Sequence, residues 1–332
     1  MPARLGDGPA VYDWFDGPDH GAVSDGWAHH GVAMTNDGSI VAFDAATDDV
    51  LIFNTTGELI CRWSSGLTEA HGISVVAEQD GDCLWIADPG QKMRSVSPGQ
   101  YEPISFGEHG RVVKFSLDGR ILRELAVPPV EIYERQRYSP TAVIAETGAG
   151  RIWVADGYGQ NLVHVFEAEG HYAGVLPGSF DCPHGLLLDR RRSEAELYVA
   201  DRENDRIQVY SRDGEFRRTV GEGQLKRPCA MATSDDLLIV AELEARLAVF
   251  DLDDAFVCYL DGDGMAPQRS GWPNAFKPDG RTVRPELAPG QFNSPHGLAT
   301  DADGNIVVAE WLIGGRLTML RHPQRPASPH LG

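Results

Sequence analysis

The chain has 332 residues, of which 42% are hydrophobic and 23% are charged, and this globular composition excludes a wholly disordered protein. Its 37 glycines and 21 prolines exceed average usage, which indicates many turns, while the lack of a strict Gly-X-Y period excludes collagen. The formal net charge of −20 argues against nucleic acid or an anionic membrane as the main partner, because both attract basic side chains.

Six segments that share one pattern follow one another along the chain. Each consists of a short apolar strand, a polar turn, a second apolar strand and then a carboxylate, which is typical of antiparallel strands. The segments cover residues 29–44, 70–88, 139–156, 182–201, 227–242 and 294–310. A third alternating strand follows (50–53, 111–115, 162–166, 206–210, 246–250 and 316–320), and a fourth follows a turn, as in DGRILREL at 118–125.

Four strands repeated six times indicate an all-β fold, a six-bladed β-propeller with four antiparallel strands per blade. We expect one domain over residues 1–332, with blades near 28–65, 70–127, 139–177, 182–221, 227–262 and 294–322. Extra residues at about 90–109 and 262–293 are rich in Gly, Pro and polar residues, which predicts surface loops. The sixth repeat lacks an obvious fourth strand, and we expect AVYDWF at 10–15 to supply it and close the ring.

One residue opens the first strand of each repeat, and in a propeller this strand lines the central channel. The residues at this position should therefore converge at the channel mouth, and they are His30, His71, Thr141, His184, Cys229 and His296. Four of the six are histidines, although the whole chain has only 11. Such residues can simply form hydrogen bonds across the channel, but four histidines at equivalent positions favour a metal site.

Converging neutral imidazoles are ligands that suit Zn²⁺, and three protein ligands with one open position are typical of catalytic zinc. His71, His184 and His296 belong to the second, fourth and sixth blades, so they should lie at equal intervals around the axis. We predict these three residues as the metal ligands and His30 as a spare imidazole. The sequence leaves open whether His30 or Cys229 also joins the site.

A carboxylate ends the second strand of each repeat, and the set is Asp44, Asp88, Asp156, Asp201, Glu242 and Glu310. Such a side chain accepts backbone N–H groups and fixes the turn, which is the interpretation we favour for the set. Two of the turns also carry chemistry, since Tyr158 follows Asp156 and Arg202 follows Asp201. A phenol near a metal can act as a base, and a guanidinium can bind a carboxylate.

Several short motifs resemble those of peptidyl-α-hydroxyglycine α-amidating lyases and, more broadly, of six-bladed propellers with NHL repeats. They are HG at a blade start, ADGY at 155–158, PHG at 183–185 and 295–297, and ADRENDRIQVY at 200–210. The resemblance covers roughly residues 28–320 and is most specific at 183–210.

The resemblance implies a zinc ion held by His71, His184 and His296, with Tyr158 as the catalytic base and Arg202 as a substrate-binding residue. It also implies cleavage of the C–N bond of a carbinolamide, which releases an amide and glyoxylate. Ser294 and Gly297 stand where those lyases have a Met and a calcium-binding Asp, so calcium is a weaker expectation than zinc. His29 and His30 stand where those lyases use a first-blade Arg.

Cysteine usage and hydropathy bear on location and partners. The five cysteines show no CxxC spacing, which argues against a disulfide framework or a zinc knuckle. No run of 18 apolar residues is present, and the first 20 residues contain no apolar stretch of signal-peptide length. We expect a cytoplasmic protein with no membrane segment, acting on a small-molecule or peptide-like carboxylate substrate.

Two other functions stay open. One is a non-catalytic NHL-type scaffold that binds a protein or a small ligand on one face. The other is a lactonase-type hydrolase, whose sites favour calcium held by Glu, Asn and Asp. The bound metal separates the three functions, because zinc supports the lyase, calcium alone supports the lactonase, and no metal supports the scaffold.

Overall fold

The computed structural model describes residues 2–18, 25–148, 150–260 and 265–323. Six antiparallel sheets follow one another in chain order, which confirms the predicted all-β, six-bladed propeller. Within the described residues the helical segments are 3₁₀ turns at Glu131–Glu134, Arg202–Asn204 and Ala266–Gln268. No helix in the described part of the chain is long and apolar enough to cross a membrane.

The strands of each blade pair in sequence order. Blade 1 contains Ala33–Met34, Ile40–Phe43, Asp49–Phe53 and Leu59–Ser64, and blade 2 contains Gly72–Glu78, Gly81–Asp88, Arg111–Ser116 and Ile121–Glu124. Blade 3 contains Ala142–Ala145, Arg151–Asp156, Leu162–Glu167 and Tyr172–Val175, and blade 4 contains Pro183–Asp189, Glu196–Asp201, Arg206–Ser211 and Phe216–Val220. Blade 5 contains Pro228–Ser234, Leu237–Glu242, Arg246–Phe250 and Phe256–Leu260.

Blade 6 combines both ends of the described chain. Its first three strands are Pro295–Thr300, Ile306–Glu310 and Arg316–Arg321, and its fourth is the N-terminal strand Tyr12–Asp16. This strand pairs antiparallel with the third, so that Trp14 lies opposite Leu320. A short strand, Arg4–Leu5, adds a fifth position at the outer edge.

The two insertions contain regular structure where the sequence predicts loops. Residues 90–109 include a hairpin of Gln91–Ser97 and Gln100–Ser105, because Pro98-Gly99 provides a turn in which Gly99 has a φ of +77°. The second insertion includes the two-stranded pair Ala275–Phe276 and Thr282–Val283. The backbone N–H of Thr282 donates to the carbonyl of Gly99 at 2.9 Å, so the two insertions contact each other.

The hydrophobic core lies between neighbouring blades. Phe43 of blade 1 belongs to the same buried cluster as Ile86 and Phe115 of blade 2, and comparable clusters join the later blades. Because each sheet buries both faces in this way, the first strands remain free to line the channel. A cavity of about 260 Å³ lies along these strands, and His71, His184 and His296 are among the residues that line it.

Candidate metal centre

Three histidines from alternate blades meet at the start of the channel. His71, His184 and His296 are each buried, and their ring centroids are separated by 4.7, 4.7 and 4.9 Å. The structure therefore brings together the three residues that the sequence predicts as ligands. The near-equal distances follow from their equivalent positions in blades 2, 4 and 6.

A backbone carbonyl of the next blade fixes the orientation of each ring. The Nδ1 atoms lie at hydrogen-bond distance from the carbonyl oxygens of Thr141 for His71 (2.7 Å), Cys229 for His184 (2.9 Å) and His30 for His296 (3.2 Å). Because a carbonyl only accepts hydrogen bonds, Nδ1 must carry the proton and Nε2 keeps its lone pair. Around the ring, the blade-opening residues of blades 2, 4 and 6 thus supply imidazoles, and those of blades 3, 5 and 1 supply the carbonyls that orient them.

The glycine after each of these histidines lets neighbouring blades approach closely. A Cβ atom on Gly72 would lie 2.5 Å from the carbonyl oxygen of Thr141, and one on Gly185 would lie 2.4 Å from that of Cys229. These are the carbonyls that accept the hydrogen bonds from the rings, so a larger residue would push them away. The recurring His-Gly pair is therefore a packing requirement of the site.

The carboxylates that end the second strands hold the segments leading into the histidines. Their backbone N–H donors are Thr68 and Glu69 for Asp88 (2.8 and 3.2 Å), Asp181 for Asp201 (2.7 Å), and Asn293 and Ser294 for Glu310 (2.5 and 3.0 Å). Each donor lies two or three residues before a histidine of the cluster. The carboxylates thus fix turns, as the sequence indicates, and these turns position the imidazoles.

Burial keeps the imidazoles neutral. It lowers the pKa of His71 to about 3, and it lowers the pKa values of His184 and His296 well below the usual value. The positive charge of Arg202 lowers all three pKa values further. Neutral imidazole is the form that binds a metal ion, so these histidines are ready to act as ligands at neutral pH.

A fourth imidazole belongs to His29 rather than to His30. The His29 ring lies 4.8 Å from that of His71 and 4.6 Å from that of His296, and the ligand nitrogens of these three residues lie within 4.8 Å of one another. His30, the spare imidazole in the sequence prediction, instead directs Nδ1 to the carbonyl of Gly31 at 2.8 Å. Neighbouring residues of an extended chain point in opposite directions, so only one of the two enters the cluster.

Tyr158 and Arg202 lie beside the histidines, as the sequence predicts. The Tyr158 hydroxyl is 3.1 Å from the Nε2 atoms of His29, His71 and His184. Arg202 Nη1 donates to the same hydroxyl at 3.1 Å, and its guanidinium carbon lies 5.4 Å from the centre of the phenol ring. Burial raises the pKa of Tyr158, and the charge of Arg202 opposes this effect.

The donor set fits a borderline divalent metal such as zinc. Within the described residues, the buried Nε2 atom of His296 has no hydrogen-bond partner, although burying such an atom unpaired is costly. Nitrogen ligands fixed by hydrogen bonds at their far side are typical of zinc sites in proteins. Cys229 takes part through its carbonyl, while its thiol lies 3.5 Å from the carbonyl of Arg227.

The sequence is similar in part to those of two kinds of curated protein. No family model matches the chain. It is 25% identical over 211 residues to NHL repeat-containing protein 3 from Homo sapiens, a match that covers 57% of this chain and 56% of that protein. It is 33% identical over 99 residues to peptidyl-glycine alpha-amidating monooxygenase from Mus musculus, which covers 26% of this chain and 10% of that protein. The chain thus spans about half of the first relative and a tenth of the second.

Solved structures share the fold over nearly the whole chain. A streptogramin B lyase has a TM-score of 0.57 at 14% identity, covering 96% of this chain and 98% of that chain. A gluconolactonase from Xanthomonas campestris has a TM-score of 0.58 at 14% identity, covering 97% of this chain and 95% of that chain. Identities this low show the fold alone. The chain is therefore a six-bladed β-propeller, and parts of its sequence are similar to an NHL repeat-containing protein and to an amidating monooxygenase.

Proposed function

We propose that the protein is a zinc-dependent lyase that cleaves the C–N bond of a carbinolamide carrying a carboxylate, which yields an amide and an aldehyde such as glyoxylate. The observation that carries this proposal is the placement of three neutral, carbonyl-oriented imidazoles next to one half-buried phenol and one half-buried guanidinium. The local similarity to an amidating monooxygenase and the shared fold with a streptogramin B lyase support it.

His71, His184 and His296 would hold the metal through their Nε2 atoms. We assign these three rather than a set with His29, because His29 is only half-buried and its Nδ1 has no carbonyl partner within the residues described. When bound, zinc supplies a Lewis acid that polarises the carbinol oxygen of the substrate.

Tyr158 is positioned to move the proton. In its phenolate form, Tyr158 would take the proton of the carbinol O–H group while the carbon–oxygen bond becomes a carbonyl. The electrons of the C–N bond pass to nitrogen, and Tyr158 returns the proton to that nitrogen, so that the amide leaves neutral. Between the two transfers Tyr158 is a neutral phenol, and Arg202, within hydrogen-bond distance of its oxygen, stabilises the phenolate present before the first transfer and after the second.

Arg202 has a second task at the carboxylate end of the substrate. It follows Asp201 at the end of a second strand, which places its guanidinium at the channel mouth next to the histidines. Arg202 is half-buried, and its Nε donates to the exposed Glu203 at 2.8 Å, while its Nη1 lies beside Tyr158. The Nη atoms of the guanidinium could bind a substrate carboxylate at this point. The substrate carbon that bears the carboxylate would then lie near Tyr158.

The test combines metal analysis with an assay for glyoxylate. The purified protein should contain about one zinc per chain, and it should release glyoxylate from N-acyl-α-hydroxyglycines or from ureidoglycolate. A chelator should abolish the turnover, and added zinc should restore it. Zinc-loaded protein that turns over no carbinolamide would contradict the lyase and favour a binding scaffold, whereas calcium alone in the purified protein would favour a lactonase-type hydrolase.

A further inference from the structure

We propose that Trp27, Trp272 and Trp311 form an aromatic subsite beside the histidine cluster, and that it binds an aromatic or similar flat apolar group of the substrate. The inference rests on the proposed function for the rest of that substrate. It narrows the substrate class to N-acyl compounds that have a carboxylate at one end and an aromatic acyl group at the other.

Trp311 occupies the same place in blade 6 as Arg202 does in blade 4. Each residue directly follows the carboxylate that ends the second strand, which is Glu310 in one blade and Asp201 in the other. Both side chains are therefore at the same end of the propeller. The Trp311 ring lies 5.5 Å from the His29 ring, which in turn contacts the rings of the cluster, so the tryptophan is continuous with the candidate metal centre.

The three indoles form one wall. Trp311 lies 6.1 Å from Trp27 and 5.8 Å from Trp272, measured between ring centroids, and the ring of Trp272 is perpendicular to it. Trp272 Nε1 donates to the carbonyl of Asn293 at 2.8 Å, which fixes the orientation of that ring. All three residues are half-buried, so none of them is fully enclosed by the protein, and an indole can stack on an aromatic group.

The two insertions contribute to this wall, since one supplies Trp272 and the other supplies a tyrosine that packs against it. Trp272 comes from the second insertion, and Tyr101 of the inserted hairpin packs edge-on against Trp27 at 5.4 Å. The Tyr101 hydroxyl donates to the carbonyl of Asp25 at 2.7 Å, and the Gly99–Thr282 hydrogen bond joins the insertions to each other. Residues added outside the blades thus concentrate aromatic surface on one side of the mouth.

The wall and the cation belong to different blades of the ring, and Trp311 of blade 6 is two blades away from Arg202 of blade 4. Trp27 directly precedes blade 1, and in a ring of six blades blade 1 is opposite blade 4, which carries Arg202. A substrate whose carboxylate binds at Arg202 would pass over the histidines and direct its other end to the tryptophans. Small polar carbinolamides such as ureidoglycolate have no group that could fill this end, so we expect them to be poor substrates.

Binding of uncleavable analogues tests the subsite separately from the chemistry. N-benzoylglycine and N-acetylglycine both carry the carboxylate but lack the α-hydroxyl, so the proposed reaction cannot consume them. Calorimetric titration of the zinc-loaded full chain should give a lower Kd for N-benzoylglycine than for N-acetylglycine, by a factor on the order of ten or more. Trp311→Ala and Trp272→Ala should each remove most of this preference while leaving the affinity for N-acetylglycine unchanged. Trp63→Ala, a half-buried tryptophan on the outer strand of blade 1, is the matched control and should keep the preference.

Equal affinities of the wild type for the two analogues would overturn the subsite. So would a benzoyl preference that both Trp311→Ala and Trp272→Ala retain. If N-benzoylglycine is preferred but N-benzoyl-α-hydroxyglycine is not cleaved, the subsite is supported and the lyase is contradicted. If small carbinolamides are cleaved as fast as aromatic ones, the lyase is supported and the subsite is contradicted.

Discussion

Each histidine of the cluster is oriented by a backbone carbonyl and not by another side chain. The three carbonyls come from Thr141, Cys229 and His30, so a substitution of these side chains leaves the acceptor in place. Loss of an imidazole, in contrast, removes a ligand. Alanine substitutions can therefore distinguish residues that act through an imidazole from residues that act through a backbone carbonyl.

We expect His184→Ala to lower zinc affinity by at least about 100-fold, because a ligand is lost, whereas His30→Ala should bind zinc like the wild type. The backbone carbonyl of His30 accepts the hydrogen bond from His296 Nδ1, and an alanine retains this carbonyl. Metal content after equilibrium dialysis at limiting zinc measures the effect. Full zinc retention in His184→Ala, or its loss in His30→Ala, would contradict the ligand assignment.

Substitutions of Tyr158 and Arg202, the two residues beside the metal site, should change different kinetic constants. Tyr158→Phe keeps the ring but removes the oxygen that moves the proton, so kcat should fall by about 10²–10⁴. Arg202→Ala removes a contact made in both the ground state and the transition state, so it should mainly raise KM. Steady-state kinetics checks both effects, and zinc analysis should show normal metal content in each variant. Equal activity of Tyr158→Phe and the wild type would exclude the base.

At the level of elements, the turn that carries Tyr158 is held by a buried network. Asp156 accepts hydrogen bonds from the backbone N–H groups of Ser139 and Gln160, both at 2.6 Å, and from the Tyr133 hydroxyl at 2.7 Å. The same hydroxyl is 2.7 Å from Nε2 of the buried His164. The network joins the end of the second strand of blade 3 to the 3₁₀ turn between blades 2 and 3.

Asp156 should make the stability of the fold depend on pH. Burial raises the pKa of its carboxyl to about 6, and a raised pKa means that the folded state holds the proton more tightly than the unfolded state. The stability from this residue is therefore present at low pH and is lost as the pH rises through about 6. Relative to the wild type, Asp156→Asn should gain about 2 kcal/mol between about pH 4.5 and about pH 7.

Urea unfolding of both proteins at the two pH values measures this gain, and any cost of the substitution that does not vary with pH cancels in the comparison. Asp44→Asn is the matched control, because Asp44 ends the second strand of blade 1 but is only half-buried. A constant difference in unfolding free energy between Asp156→Asn and the wild type would contradict the prediction.

The sequence predicts the blades because each blade needs the same buried strands and turns, so the same pattern of apolar strands, turns and carboxylates recurs six times. The hairpin in the first insertion is not predicted, since Gly-Pro-rich sequence is typical of loops and the Pro98-Gly99 turn is one signal among many. Nor does alternation decide between His29 and His30. Alternation says that two adjacent side chains point in opposite directions but not which of them points to the channel, and both histidines precede the first strand of blade 1, which begins at Ala33.

For the whole molecule, closure of the ring decides whether the metal centre stays assembled. The seam of the ring is the pairing of the N-terminal strand Tyr12–Asp16 with Arg316–Arg321 of blade 6. The cluster draws one histidine from each of three blades, and His296 belongs to the blade that the N-terminal strand completes. Without that strand, the edge of blade 6 would be open, and the cluster that joins blades 5 and 6 would lose Tyr12 and Trp14. Stability at the seam should therefore be coupled to the stability of the metal centre.

Two adjacent residues of the N-terminal strand test the seam. Trp14 is 3% exposed and packs 4.8 Å from Phe292 in the cluster that joins blades 5 and 6, while Phe15 on the opposite face is 37% exposed. Trp14→Ala should cost about 3–5 kcal/mol of unfolding free energy because it leaves a cavity, whereas Phe15→Ala should cost less than about 1 kcal/mol. Urea unfolding with and without zinc measures both effects, and zinc should raise the stability of each variant because it binds only the folded state. Equal costs would show that the N-terminal strand does not close the ring in solution.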